Sequence, residues 1–321
     1  MIRMRVAVTT LAAAAAMLTA GCSGAAPPPA GSGGAGASPA AAPTKIGFIT
    51  KFPVDFYDTM VDAVKKWNTD HPDVTVLYAQ GKSGTDDESE INAIQSMVSQ
   101  GVTAIAITPT SPNVKGELQK AVDKGIKVVL VDHDIPDWTG KSSVVATDNL
   151  AGGKLAGTWI AERLPPGSKI GILQGRLGNP SLEARVTGML ETLGTSATAV
   201  AKTPTDCDQT KGVNAMQDIL TAHPDIAGVY GACGPPILGA LQAIKAAGKE
   251  GKLVVVGFDA APGELTAITA GTESASVAQF PAKMGSIGVQ TALDAAKGNT
   301  VPATIDTGTE MVTKENASKF S

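Results

Sequence analysis

The stretch Leu253-Val-Val-Val-Gly-Phe-Asp259 decides how the chain is read. Five of its seven residues are apolar, and it runs into Ala260-Ala261-Pro262-Gly263. A short apolar run bounded by turn residues reads as a strand buried on both faces of a parallel sheet. In open α/β sheets, ligands sit outside the carboxyl ends of the strands, so a strand that ends in Asp259 places a carboxylate at a binding mouth. The same grammar occurs earlier, at Lys127-Val-Val-Leu-Val-Asp132. Two such strands, about half a chain apart, predict two similar sheets facing one ligand.

The rest of the chain is compatible with that plan. Its 321 residues suffice for two domains with their own cores. Composition is 43% hydrophobic and 17% charged, as in ordinary globular proteins. A net charge of −4 argues against nucleic acid as the main partner. Beyond the N-terminus no apolar window is long enough to span a bilayer.

The N-terminus reads as a targeting segment. Arg3 and Arg5 form a charged region, Val6 to Leu18 a short apolar one, and Thr19-Ala20-Gly21 leads to Cys22. Small residues ending in Gly-Cys resemble the bacterial lipobox, although Thr19 stands where leucine is usual; the resemblance implies lipidation of Cys22. Cleavage there removes two arginines, leaving 24 basic against 30 acidic residues, a balance of −6. Residues 23–43 are nearly all Ser, Gly, Ala and Pro, a flexible tether. Gly31-Ser-Gly-Gly-Ala-Gly36 within it matches a dinucleotide-binding fingerprint by letter only, because no strand precedes it and no helix follows.

From Lys45 onward strand and helix patterns alternate. Strands are predicted at 45–50, 74–78, 104–107 and 128–131, with helices at 56–67, 86–98 and 118–122 between them. A second series follows: strands at 170–173, 226–230, 253–258 and 275–278, and helices at 181–190, 208–220, 236–247, 264–270 and 284–296. Strands separated by helices imply βαβ units and a parallel sheet. His71-Pro72-Asp73 and His223-Pro224-Asp225 are turns: proline ends a helix and aspartate starts a turn. Metal ligation is not expected, because the three dispersed histidines and few cysteines lack ligand spacing.

Five motifs together resemble the ribose-type periplasmic sugar-binding proteins, the type I solute receptors of sugar ABC importers. They are Gly152-Gly-Lys-Leu-Ala-Gly157, Lys211-Gly-Val-Asn-Ala-Met-Gln217, Leu238-Gly-Ala-Leu241, Val256-Gly-Phe-Asp259 and Val277-Ala-Gln-Phe-Pro281. The resemblance covers about Thr44 to Glu310. It implies an α/β fold of two doubly wound parallel-sheet lobes joined by a three-strand hinge, the type I periplasmic binding protein fold. It divides the chain into a lipoprotein signal peptide (1–21), a flexible tether (22–43), an N-terminal lobe (44–147 and 280–307) and a C-terminal lobe (148–279 and 308–321). The crossovers between lobes fall near Thr147-Asp148, Gln279-Phe280 and Asp306–Gly308.

A sugar presents hydroxyls that donate and accept on a ring with apolar faces. Its receptor needs carboxylates, amides, a charged donor and aromatics. The resemblance places Phe56 and Tyr57 as pocket aromatics, Asp132 and Asp259 as strand-end acids, Arg185 as the pocket arginine and Gln279 as an amide at a crossover. It also marks departures. Val54 stands for an asparagine, His133 for an arginine, Cys207 for an aromatic, Cys233 for an asparagine and Gly234 for an acid. These departures point away from ribose, toward another monosaccharide or a sugar alcohol. Trp138, in the loop beyond Asp132, is placed either beside the cleft or as an ordinary loop residue.

Once Cys22 is lipidated, Cys207 and Cys233 are the remaining thiols. Two cysteines in an exported chain are usually paired, and both align with positions facing one ligand, so a disulfide is expected over two separate buried thiols. The implied function is that of a lipid-anchored, monomeric receptor on the outer face of the cytoplasmic membrane. It would carry a sugar or polyol to an ABC permease without a cofactor or catalysis. Three alternatives compete with this reading. A glycoside hydrolase using Asp132 and Asp259 needs one carboxylate kept protonated, whereas Arg185 favours ionised ones. A sugar-responsive repressor needs an N-terminal DNA-binding helix pair in place of the signal and tether. A receptor feeding chemotaxis or a sensor kinase is not separable from an import receptor by sequence.

Overall fold

A computed structural model of the chain describes residues 44–320. The signal segment, Cys22 and the tether lie outside the described residues. The fold has two lobes, each a six-stranded sheet covered by helices.

The first sheet begins with β1 (Thr44–Thr50), β2 (Val74–Gln80), β3 (Ala104–Ile107), β4 (Lys127–Val131) and β5 (Ser143–Ala146). Between them lie α1 (Asp55–Thr69), α2 (Asp87–Ser99) and α3 (Lys115–Asp123). The chain then enters the second lobe with α4 (Asn149–Ala161), β6 (Ser168–Gln174), α5 (Pro180–Leu193), β7 (Ala197–Pro204) and α6 (Gln209–Ala222). That lobe continues with β8 (Gly228–Gly231), α7 (Gly234–Ala246), β9 (Val254–Asp259), α8 (Pro262–Ala270) and β10 (Ala275–Ala278). Next, α9 (Pro281–Ala296) and β11 (Thr304–Asp306) return to the first lobe, and β12 (Glu310–Val312) ends in the second. Strand order is β11-β5-β4-β3-β1-β2 in the first sheet and β12-β10-β9-β8-β6-β7 in the second. Every pairing is parallel except β10 with β12. The chain therefore passes between the sheets three times, after β5, after β10 and after β11.

The organising strand is as its composition requires. β9 is buried along Val255–Phe258 and partly open only at its ends, and β4 is buried from Val128 to Val131. Both strands end at a left-handed turn, with φ of 66° at Asp132 and 108° at Asp259. L-residues enter that region at a cost that usually marks a functional position. The turn breaks each strand and leaves its carboxylate beyond the sheet edge.

The sequence reading lacks β5, α4, β7, β11 and β12, and two of these escape periodicity for opposite reasons. Helix α4 carries Gly152, Gly153 and Gly157, which erase its amphipathic stripe. Their role is close approach. A Cβ on Gly153 would lie 2.2 Å from the Arg185 carbonyl oxygen, and one on Gly157 2.2 Å from that of Met189. Backbone packing of α4 on α5 thus replaces side-chain packing. Strand β7 lies at an edge, is half exposed and is built of Ala and Thr, so it has neither an apolar run nor a clean alternation. Trp138 does not line the cleft. It is buried in the first lobe among Leu118, Ile135 and Val144, donating its indole N–H to Gln119 Oε1 at 2.8 Å.

Candidate ligand-binding cleft

The carboxyl ends of both sheets converge on a partly open cavity of about 90 Å³. Phe56, Tyr57, Asp132, His133, Arg185, Cys207, Cys233, Asp259 and Gln279 all line it. The structure therefore brings together every residue that the resemblance placed in a pocket.

Arg185 is the centre of the arrangement. It projects from α5 and is buried, with 2% of its surface exposed. Its Nε donates to Asn149 Oδ1 at 2.7 Å, and Nη1 donates to the Ala232 carbonyl at 2.9 Å and to Asp259 Oδ1 at 3.3 Å. Its Nη2 lies 4.0 Å from Asp132 Oδ1 in the opposite lobe. The guanidinium also rests over the Phe258 ring, 4.0 Å from its centroid, a favourable contact for a desolvated cation. One arginine thus reaches the acids of both sheets.

Each acid is held by neighbours. Asp259 Oδ1 accepts from Gln279 Nε2 at 2.7 Å, and Oδ2 accepts from the Gly234 N–H at 3.0 Å. It therefore caps α7 rather than the helix that follows it. Asp132 Oδ2 accepts from the Tyr57 hydroxyl at 3.1 Å, while Oδ1 has no hydrogen-bond donor. Burial pushes the Asp132 carboxyl up to about 6 against the opposing pull of Arg185. Burial likewise raises Asp259, again opposed by Arg185. Desolvation thus outweighs the cation, contrary to the expectation that Arg185 would dominate.

His133 takes part through its ring. Lys51 Nζ and Asn179 Nδ2 both approach Nδ1, the latter at 3.0 Å from the second lobe. Both neighbours are donors, so Nδ1 is the acceptor and the proton sits on Nε2, which faces Asp132 Oδ2 at 3.5 Å. Burial holds the imidazole well below its ordinary value, hence neutral. Burial also lowers Lys51 to about 8, with Asp132 opposing it. Two buried cations, Lys51 and Arg185, therefore stand against two buried carboxylates, Asp132 and Asp259.

Cys207 and Cys233 form a disulfide, which ties the loop after β7 to the loop after β8 along the cavity wall. It closes a separation of 26 residues. On loop-entropy grounds it contributes about 3 kcal/mol. The Cys207→Ser/Cys233→Ser double variant should lower the unfolding free energy measured in urea by that amount, with a correspondingly lower midpoint, and be insensitive to reductant. Equal midpoints for the two proteins would show that the bridge adds no stability.

Sequence reasoning missed Lys51, Phe52, Arg176, Leu182, Leu238 and Glu264, all of which line the cavity. A signal existed for two of them. Lys51 follows the last residue of β1, and Arg176 lies two residues beyond β6, the same strand-mouth position that singled out Asp132 and Asp259. Arg176 makes a bidentate pair with Asp87 of the opposite lobe, at 2.8 and 3.1 Å, and donates to the Gly84 carbonyl at 3.2 Å. This clasp closes the rim far from the crossovers.

A family model for the periplasmic binding protein domain matches residues 46–300. The chain belongs to this family. Among relatives of this periplasmic binding protein, the ribose import binding protein of Escherichia coli is 34% identical over 228 residues, which cover 70% of this chain and 76% of that one. The D-ribose/D-allose-binding protein of Pseudomonas aeruginosa is 30% identical over 271 residues, covering 81% and 85%. An ABC transporter solute binding protein from Mycobacterium smegmatis, solved with bound glycerol, superposes with a TM-score of 0.80 at 33% identity. That match covers 86% of this chain and 96% of the other. The names of these proteins describe binding of ribose or allose and, for two of them, a part in import or ABC transport.

Proposed function

We propose that this chain is the substrate-binding lipoprotein of an ABC importer, holding a monosaccharide or sugar alcohol between its lobes and delivering it to a permease. The observation that carries the reading is the sharing of one cavity by both sheets. Asp132 and Tyr57 come from the first lobe, and Arg185, Asp259 and Gln279 from the second. Their groups form the bidentate set that vicinal hydroxyls need. Two buried cations against two buried carboxylates suit an uncharged solute, and a cavity of about 90 Å³ suits a single small one. Asp132 Oδ1 and Gln279 Oε1 are buried acceptors without donors, matched to hydroxyl protons. The names of the relatives, ribose and allose binders among them, support the same class.

In this reading Cys22 carries the lipid and the exported protein is tethered through residues 22–43 to the outer face of the cytoplasmic membrane. It acts as a monomer, the lobes (44–147 with 280–307; 148–279 with 308–321) hinge about the three crossovers, and no covalent chemistry occurs. The test is calorimetric titration of the refolded, solute-free chain with pentoses, hexoses and their alditols. One class should bind, and at 100 times its dissociation constant should raise stability by about 2.7 kcal/mol. Asp132→Asn and Asp259→Asn should each weaken that binding at least tenfold. Turnover of a glycoside, or no binding of any polyol, would defeat the proposal.

A further inference from the structure

The cavity lining is polar around Arg185 and apolar elsewhere. Of the strands that supply the cavity, β4, β9 and β10 lie toward the crossovers. These strands deliver Asp132, Asp259 and Gln279, and Arg185 reaches the same corner. The two unpartnered acceptors, Asp132 Oδ1 and Gln279 Oε1, are both there. Farther out lie β1, β8, β6 and β7. The loops and helices after them line the cavity with Phe52, Val54, Leu182, Leu238 and the Cys207–Cys233 disulfide.

Of the charged groups of the outer end, Arg176 and one oxygen of Asp206 are already engaged, and Asp55 turns to solvent. Arg176 is taken up by Asp87 and the Gly84 carbonyl. Asp206 Oδ2 accepts from Lys211 Nζ at 2.5 Å. Asp55 is exposed at the start of α1. Lys51 lies on the boundary and is turned toward His133. A hydroxyl placed at the outer end would leave water and meet rings, methyls and sulfur. A methyl or methylene there would bury apolar area instead.

We infer that the solute is itself two-ended, a polyol whose hydroxyls fill the corner at β4, β9 and β10 and whose other end is deoxygenated, as in a terminal-deoxy sugar or an alkyl-bearing polyol. This rests on the polyol reading above and narrows it. Burying a hydroxyl without a partner and gaining a methyl contact together favour the deoxy member of a matched pair by roughly 10- to 100-fold.

The experiment uses matched pairs on the full chain, refolded to strip bound solute: D-galactose with D-fucose, L-mannose with L-rhamnose, and D-ribose with 5-deoxy-D-ribose. In at least one pair the deoxy member should bind at least tenfold more tightly, and Val54→Asn should reduce that ratio several-fold by offering the outer end a hydrogen-bonding partner. Binding in which each parent equals or exceeds its deoxy partner overturns the inference and leaves the polyol receptor standing. No binding by any sugar in the set overturns the inference, and no binding by the alditols and other sugars of the titration above either overturns both. A deoxy preference unchanged in Val54→Asn would overturn the assignment of the apolar end.

Discussion

Arg185→Met should cost the protein about 3–5 kcal/mol of stability at neutral pH, the range seen when one partner of a buried ion pair is removed. Methionine matches the aliphatic stem and keeps the contact with Phe258, so the loss is mainly electrostatic. Asn149 Oδ1 and the Ala232 carbonyl lose the arginine as donor, and Asp259 Oδ1 keeps only Gln279 Nε2 of its two donors. Asp132 loses the cation 4.0 Å away that opposes the effect of its burial. Both carboxyls would then titrate still higher, so the variant should recover part of its stability on acidification from pH 7.5 to 5.5. Urea unfolding at the two pH values measures this. A loss below about 1 kcal/mol, the level of an exposed pair, would mean that the arginine is a spectator in the empty protein and matters only to ligand.

The second large effect concerns a pair of acids behind the cleft. Glu264 is buried in the first turn of α8; Oε2 accepts from the Ala261 N–H at 3.1 Å and Oε1 from Ser276 Oγ at 2.8 Å. Ser276 Oγ in turn accepts from the Ala260 N–H at 3.1 Å. These bonds hold the left-handed turn at Asp259 and Ala260. Facing Glu264 is Glu273, also buried, whose oxygens receive no N–H or hydroxyl. Burial, with Asp259 adding to it, pushes Glu264 up to about 8, and burial with Glu264 beside it pushes Glu273 well above the usual range. Below pH 4.5, the ordinary glutamate value, folded and unfolded chains are both protonated and the pair costs nothing extra. As pH rises the unfolded chain releases these protons while the folded chain keeps them, so stability falls, the Glu264 part of the decline running to about pH 8. Each retained proton contributes about 1.4 kcal/mol per pH unit.

Glu273→Gln supplies an N–H donor to Glu264 and removes one acid, so it should flatten this decline. At pH 8 the variant should exceed the natural chain by on the order of 2 kcal/mol, with the difference vanishing near pH 5. Glu90 and Asp132, raised by burial to about 7 and about 6, contribute to the same slope in both proteins and cancel in the comparison. Parallel pH curves would show that the two glutamates do not share a proton.

The parts of the molecule legible from sequence are those where one physical demand dominates. A strand covered on both faces must be apolar throughout, so β4 and β9 stood out, and their terminal acids marked the cleft. The pocket residues came from matching motifs, not from periodicity. What escaped notice depends on tertiary approach. The glycines of α4 look like loop residues until α5 is laid against them. Glu264 and Glu273 look like surface acids, because nothing local reveals that each is covered by the other's element. The clasp between Arg176 and Asp87 joins residues 89 apart in sequence, and no spacing rule connects them.

The triple passage of the chain between the sheets also governs when the two sheets are completed. One wall of the first core is α9, whose Met284, Val289, Ala292 and Leu293 pack on Phe48, Met60, Val64 and Val131. The sheet edge beside β5 is supplied by β11, at residues 304–306. A growing chain that has made everything up to β10 holds a first lobe in which α1 lacks its neighbour α9 and β5 lacks β11, and a second lobe lacking β12. Both sheets are therefore completed by one short stretch, residues 304–312.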